Sequence, residues 1–179
     1  MLAYFPVDCI GFQETIGYFR SNPEVRPFPK MQYIKVDKLR SATIRGHYHE
    51  NMRESGRADV LALRALEGPV QLFVMSGTAA DNVPLLTMVP VLSLVAGAAV
   101  LGGSAIERNL WFVRRAPGPL MPVSRSAFRT QMSGFTADCP ALSGPIAAGA
   151  EGYRYGDMVR IVQRYNNFIT SKAQPETAK

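Results

Sequence analysis

The longest uncharged run in this sequence places the tightest limit on how the chain can fold. Between Asp81 and Glu107 lie 25 consecutive residues without a charged side chain. As an α-helix with a rise of about 1.5 Å per residue, this run is about 37 Å long, whereas a bilayer core of about 30 Å needs roughly 20 residues. The run therefore predicts a transmembrane helix over 83–106.

Two prolines modify this predicted helix. Pro84 falls in its first turn, where the missing N–H costs little, whereas Pro90 lies inside the helix and is expected to kink it. A helix that began only at Pro90 would keep 17 residues to Ile106, which is the lower limit for a span. We therefore expect one kinked helix from about Val83, since transmembrane helices tolerate proline where neighbouring groups satisfy the freed carbonyl.

Small residues are concentrated in the second half of the run. Ser93 and Gly97 stand four positions apart, as do Ala98 and Gly102, and Gly103 belongs to a third such pair. Small side chains at this spacing let two helix backbones approach closely. The spacing predicts that Ser93, Gly97, Gly102 and Gly103 pack against the helix of a partner subunit.

Charges on either side of the run favour one orientation. Arg64 is the only basic residue within about 20 positions on the N-terminal side, whereas Arg108, Arg114, Arg115 and Arg125 follow the run. The positive-inside tendency places the C-terminal side in the matrix or cytoplasm. We expect an integral, single-pass membrane protein, in an organelle inner membrane, with Trp111 and Phe112 at the interface.

The flanking segments lack an evident core of their own. Prolines favour extended, polyproline-like backbone over 1–35 and loops beyond the run. We therefore expect a mainly α fold: one kinked transmembrane helix, proline-rich extended arms and a C-terminal amphipathic helix. The expected regions are an N-terminal extramembrane region with an extended arm and short helices over 1–82, the span over 83–106, and a basic C-terminal extramembrane region over 107–179.

Helical spacing is also visible just before the run. Val60, Leu63 and Leu66 stand on one helical face, and the following Gly68-Pro69 is an effective stop. The next apolar segment, 69–77, is too short to span a membrane. It has the pattern of a short strand or of an apolar turn of helix near the membrane interface.

The clearest amphipathic pattern lies over 154–170, near the C-terminal end. Its apolar residues follow the i, i+3, i+4, i+7 rule, and basic residues occupy the other faces. The apolar stripe consists of Met158, Ile161, Val162, Tyr165, Phe168 and Ile169. Such a helix can lie on anionic lipid or dock into a groove on a partner, and an ordinary surface helix of a globular domain shows the same pattern.

The sequence offers little for catalysis. His47 and His49 are its two histidines, and a zinc site would need a further ligand that is not nearby in sequence. Ser76 and Ser133 lack the frame of an activated nucleophile, and the Gly97–Gly103 segment lacks the spacing of a nucleotide-binding loop. We expect no enzyme activity, no metal, no cofactor and no small-molecule substrate.

Two further features limit the choice of partner. The chain has a net charge of +6, and most of it arises from Glu107 onward, where 10 basic residues face 5 acidic ones. Prolines rather than stacking aromatics lie between these basic residues, so we expect an anionic membrane face and no nucleic acid. Cys9 and Cys139 leave open either one disulfide or two unrelated thiols.

Together these features favour a non-catalytic accessory subunit of a large membrane complex, such as an energy-converting complex of the mitochondrial inner membrane. Its role would be assembly and stability, and its partners would be other subunits and lipid. One alternative is a soluble globular α/β domain, with 83–106 as a buried helix or strands, that acts as an enzyme or a ligand-binding module. A basic protein associated with nucleic acid or ribosomes is a second alternative.

Overall fold

The computed structural model describes residues 11–44, 46–76 and 109–173. In these residues a seven-stranded antiparallel sheet carries helices on one face, and a two-stranded hairpin adjoins it. This is an α/β architecture. The prediction of a mainly α fold is therefore wrong.

The strands follow one another along the chain in a simple order. They are β1 (Gly11–Gln13), β2 (Thr15–Tyr18), β3 (Gln32–Lys35), β4 (Ser41–Ile44), β5 (His47–Met52), β6 (Arg57–Leu66), β7 (Val70–Ser76), β8 (Asn109–Arg115) and β9 (Met121–Val123). In the large sheet β4 to β9 lie side by side in chain order, and β1 pairs with residues 60–62 of β6. Strands β2 and β3 form the separate hairpin.

Three helices follow the last strand. They are α1 (Phe128–Phe135), α2 (Pro140–Ala148) and α3 (Met158–Ala173). Short 3-10 turns occupy Val36–Lys38, Arg53–Ser55 and Tyr155–Asp157. The three helices share one large apolar core with strands β6 to β9, so they form a single layer on the sheet.

Strand β6 occupies the segment for which helical spacing predicted a helix, and that prediction is wrong. Val60, Leu61, Ala62 and Leu63 are all buried. Val60 and Ala62 belong to an apolar cluster on one face of the sheet, while Leu61 and Leu63 belong to clusters on the other. A continuous apolar run is what a strand covered on both faces requires, and such a run also matches a turn of helix.

Strand β8 corrects a second prediction. Trp111 and Phe112, which we expected at a membrane interface, are each only 2% exposed and point to opposite faces of the sheet. Trp111 packs beneath the helices, and Phe112 packs with Phe73 of the neighbouring strand. Their burial reflects a central strand with apolar layers on both sides.

Helix α3 buries its apolar stripe against the chain's own sheet. Ile161, Val162 and Tyr165 are buried in the core that also contains Leu72 and Trp111. Apart from Ala173 at its end, the exposed positions of the helix are polar or basic, as an amphipathic surface helix requires. The stripe therefore packs within this domain rather than on lipid or on another protein.

The side chain of Asn166 holds α3 to the start of β7. Its Oδ1 accepts a hydrogen bond from the Val70 N–H at 2.7 Å, and its Nδ2 donates to the Val70 carbonyl at 2.9 Å. The amide thus satisfies both backbone groups of one strand residue. The approach is close at Gly68 as well, since a Cβ there would lie 2.9 Å from Asn166 Nδ2.

The expectations about the membrane are corrected by the same architecture. Among the described residues no helix is long and apolar enough to cross a membrane, and strands β1, β2 and β3 lie within the predicted extended arm. The single-pass integral protein, and with it the accessory subunit of an inner-membrane complex, is therefore wrong. The α/β domain is supported instead. The predicted span over 83–106 itself lies outside the described residues.

The first prediction tests the docking of α3. Replacing Ile161 by alanine removes a fully buried side chain, so we expect the free energy of unfolding to fall by about 2–5 kcal/mol. Denaturant unfolding followed by circular dichroism measures the change. Gln163→Ala, on the exposed side of the same helix, should stay within about 0.5 kcal/mol. Equal effects of the two substitutions would show that the helix does not pack on the sheet.

The second prediction tests the amide contact between α3 and β7. In Asn166→Ala two backbone groups of Val70 lose their partner, and we expect a loss of about 1–3 kcal/mol in unfolding free energy. The neighbouring Asn167 is exposed, so Asn167→Ala is the matched control. An Asn166 variant as stable as this control would contradict the assignment.

Candidate functional site

A polar cleft of about 820 Å³ opens on the sheet face that is turned away from the helices. This volume lies in the range of small-ligand sites. Strands β5 and β8 and the 3-10 turns Val36–Lys38 and Arg53–Ser55 contribute to its lining. The lining residues are Asp37, Lys38, Leu39, Arg40, Tyr48, Glu50, Asn51, Arg53, Glu54 and Arg114.

A two-pronged ion pair between Glu50 and Arg114 forms part of the cleft lining. Arg114 Nη1 donates to Glu50 Oε1 at 2.6 Å, and Nη2 donates to Glu50 Oε2 at 3.0 Å. Nε and Nη2 of the same guanidinium donate to Oε1 of Gln71 at 2.9 and 2.6 Å. The Glu50 and Arg114 side chains are 15% and 17% exposed, so water screens the pair only in part.

Aromatic rings hold the ion pair in place. The guanidinium carbon of Arg114 lies 5.2 Å from the ring centroid of the buried Phe73. On the carboxylate side, the Tyr48 hydroxyl donates to Glu50 Oε2 at 3.2 Å, and Arg64 lies over the Tyr48 ring at 4.4 Å. A cation above an aromatic face is favourable. Glu50 and Arg114 are therefore fixed in orientation before any ligand arrives.

The charge of Arg114 is secured by its carboxylate partner. Hydrogen bonding to Glu50 raises the pKa of Arg114 above its ordinary value, and this effect outweighs the lowering by burial. The donor groups that face Glu50 and Gln71 are already used, and Nη1 also lies 3.8 Å from Glu54 Oε2. The ion pair therefore provides a rigid surface whose charges neutralise each other, and it does not offer these donor groups to a ligand.

Asn51 fixes the two 3-10 turns that form the walls of the cleft. Its side chain is buried, and Nδ2 donates to the carbonyl oxygens of Val36 and Ala58, each at 2.9 Å. Its Oδ1 accepts from the Arg53 N–H at 2.9 Å, while the Arg53 guanidinium donates to the Asp37 carbonyl. One amide thus links both walls to strand β5, and this satisfies polar backbone that would otherwise be buried without partners.

Two cations of the cleft keep their donor groups available. Lys38 and Arg40 are exposed, and neither side chain makes a hydrogen bond or an ion pair within the described part of the chain. The exposed carboxylates of the lining are those of Asp37 and Glu54. The opening of the cleft therefore presents free positive charge beside two carboxylates, above a neutralised surface.

None of the site residues predicted from the sequence is among the described residues that line this cleft. Ser93, Gly97, Gly102 and Gly103, the predicted helix-packing residues, lie outside the described residues, as does Cys9. Cys139 is buried next to the start of α2.

The two histidines lie on strand β5 outside the lining of the cleft. His49 is buried, and its Nδ1 lies 3.0 Å from the His47 carbonyl oxygen. Across 11–44, 46–76 and 109–173, no three His, Cys, Asp or Glu side chains are grouped as metal ligands. Neither histidine therefore belongs to a described ligand set.

A second polar cluster, on the helical side, has a structural role. The Tyr165 hydroxyl donates to Asp138, and Arg115 Nη2 donates to Asp138 Oδ1 at 3.0 Å and to the Phe135 carbonyl at 2.8 Å. Arg115 also lies over the rings of Phe135 and Tyr165, at 5.4 and 5.1 Å. These contacts join the α1–α2 connection to β8 and α3. The polar groups of this cluster bond to one another, so we assign it no ligand.

The residues of the cleft were not identified from the sequence, because they are distant from one another in it. Glu50 and Arg114 stand 64 positions apart, and from the sequence Arg114 was considered only as one of the charges that flank the uncharged run. The available signal was alternation: Tyr48, Glu50 and Met52 lie on the same face of β5, where a polar edge turns into an apolar core. That pattern identifies a face, but it does not identify the partner strand.

Comparisons with known proteins supply no family for this chain. No protein-family model matches it, and neither the curated proteins nor the solved structures give a significant match. Any function must therefore be inferred from the geometry of the cleft.

The third prediction tests whether the ion pair holds the cleft together. Glu50→Gln leaves the largely buried Arg114 without its two-pronged carboxylate partner and with only the more distant Glu54, so we expect the free energy of unfolding to fall by about 1–3 kcal/mol. Glu67→Gln is the control, because Glu67 also pairs with an arginine, Arg64, but the Glu67 side chain is 71% exposed. Loss of such an exposed ion pair should cost less than about 1 kcal/mol.

A double-mutant cycle with Arg114→Met separates the interaction from the individual losses. We expect a coupling energy of about 0.5–3 kcal/mol between positions 50 and 114. Additive effects would show that the two side chains do not act as a pair.

Proposed function

We propose that this domain is a non-catalytic binding module whose cleft takes a small ligand with a phosphate or carboxylate group. The observation that carries the proposal is that Lys38 and Arg40, two exposed cations of the cleft lining, make no side-chain hydrogen bond or ion pair with any residue that the structure describes. Hydrogen bonds from such cations to an anion are stronger than bonds between neutral groups. A ligand anion can use them without breaking a hydrogen bond or an ion pair of the described part of the domain.

The acidic residues of the cleft narrow the class of ligand. Asp37 and Glu54 are exposed beside the cations, and they would repel a ligand that is anionic throughout. A ligand that carries an ammonium or hydroxyl donor beside its anionic group fits both kinds of charge. We therefore favour an amino-acid-like or hydroxylated anion over a simple polyanion.

The lining supports binding rather than catalysis. The ten described residues of the lining include no histidine, cysteine or serine, which are the usual side chains for proton transfer near neutral pH or for nucleophilic attack. Both oxygens of the Glu50 carboxylate are already engaged by Arg114 and Tyr48.

The fourth prediction tests the proposed ligand class with O-phosphoserine as the probe. Isothermal titration calorimetry should show saturable binding, and binding of inorganic phosphate should be weaker because it lacks the ammonium group. Lys38→Gln and Arg40→Gln should each weaken binding about tenfold or more, since a charged hydrogen bond contributes roughly 1.5–3 kcal/mol.

Arg129→Gln is the matched control, because this exposed arginine lies on α1, on the other face of the sheet. It should leave the affinity unchanged. Absence of saturable binding at millimolar probe, or equal losses in Arg40→Gln and Arg129→Gln, would refute an anion site in the cleft.

A further inference from the structure

The exposed large apolar side chains of the described residues are confined to one short stretch. They are Val25, Phe28, Met31 and Tyr33, which we call the apolar tip, with exposures of 59%, 63%, 39% and 71%. All four lie on the long β2–β3 connection or at the start of β3. Single exposed apolar residues are common, but a group of four on one hairpin indicates a contact surface.

The hairpin that carries the tip is anchored at its base. Ile16 and Val36 are buried in a core cluster with Leu61 of the large sheet. Where the strands leave that cluster, the Tyr18 hydroxyl donates to Gln32 Oε1 at 3.0 Å. The tip is therefore carried by a part of the molecule that is itself firmly packed.

The connection that bears the tip is stiff. Pro23, Pro27 and Pro29 restrict its backbone. Asn22 adds a turn, because its side-chain Oδ1 and its carbonyl accept hydrogen bonds from the N–H groups of Glu24 and Val25, at 2.9 and 3.3 Å. Since these residues are ordered before contact, little conformational entropy remains to be lost on docking.

Positive charge surrounds the apolar tip. Arg20, Arg26 and Lys30 are exposed on the connection, whereas Glu24 is its single acidic residue. The Arg26 guanidinium carbon lies 5.5 Å from the ring centroid of Phe28, so cation and aromatic ring are presented together. A complementary binding surface would have an anionic outer layer, to face the cations, and an apolar layer just beneath it, to receive the apolar side chains.

We propose that the apolar tip docks this domain onto an anionic lipid surface. Phe28 and Tyr33 would lie at the level of the headgroups, where aromatic rings are favoured, and Arg20, Arg26 and Lys30 would face the lipid phosphates. This contact needs only the surface of a bilayer. It is therefore a different interaction from a helix that crosses the membrane.

The size of the tip favours lipid over a protein partner. A fully buried aromatic side chain contributes roughly 150–250 Å², but only 63% of Phe28 and 71% of Tyr33 remains exposed. Val25 and Met31 are smaller contributors, so the four side chains fall short of the about 800 Å² that each partner buries in a stable protein interface. A protein partner would have to contact much more of the domain. Insertion into a headgroup layer has no such requirement.

The fifth prediction concerns cosedimentation of the full chain with lipid vesicles. Binding to vesicles of mixed phosphatidylcholine and phosphatidylglycerol should exceed binding to phosphatidylcholine alone and should weaken as salt is added. The double variant Phe28→Ser/Tyr33→Ser should bind at least about tenfold more weakly, because each replacement removes apolar surface that would leave water. Both side chains are exposed, so unfolding measurements should show unchanged stability.

A charge-matched pair of variants separates the tip from net charge. Arg26→Gln/Lys30→Gln should lose most of the preference for anionic vesicles, whereas Arg129→Gln/Arg160→Gln, which removes two exposed helical cations, should retain it. Equal losses would overturn the proposal in favour of general charge attraction. A wild-type chain that stays in the supernatant with both vesicles would overturn it as well and would leave a protein partner for the tip.

Discussion

The burial of the central strands on both faces is the constraint on which the rest of this structure depends. Along β7 and β8, Leu72 and Trp111 face the helices while Phe73 and Phe112 face the opposite side, and all four are buried. Removing apolar surface from water on both sides of one sheet is the largest favourable term available to a domain of this kind. Any polar group that shares these strands must therefore be paired, because an unpaired one would cost part of that gain.

The cleft shows how the chain meets this requirement at the end of the apolar face. Arg114 follows Phe112 on the same face of β8, and its guanidinium is engaged by Glu50 and Gln71 and lies over Phe73. Desolvation opposes a charge at such a position, and two hydrogen bonds to one carboxylate offset it. Further out, where water is available, Lys38 and Arg40 need no internal partner. The division between paired inner charges and outer charges without a described partner follows from the depth of each group, and the proposed anion site depends on it.

The same constraint explains what the sequence could predict. One face of α3 is buried, so its apolar stripe has the helical period and indicates a helix at 154–170. In β6 and β8 both faces are buried, and residues such as Val60 to Leu63 lose the alternation that marks a strand. Proline misled as well, because Pro140 stands at the first position of α2 and is compatible with a helix there. The Glu50–Arg114 pair depends on strand order in the sheet, and local sequence carries no signal of it.

The cleft and the apolar tip share one anchor, and this bears on how each surface can act. Strand β3, which bears Tyr33, continues directly into the 3-10 turn that forms a wall of the cleft. Val36 stands at that junction: it is fully buried, its N–H donates to the Glu14 carbonyl at 2.7 Å, and its carbonyl accepts from Asn51 at 2.9 Å. Because the junction is held by core packing and by backbone hydrogen bonds, exposed side chains of the tip can change without loosening the wall. The proposed ligand binding and the proposed lipid docking would therefore be separable properties of one scaffold.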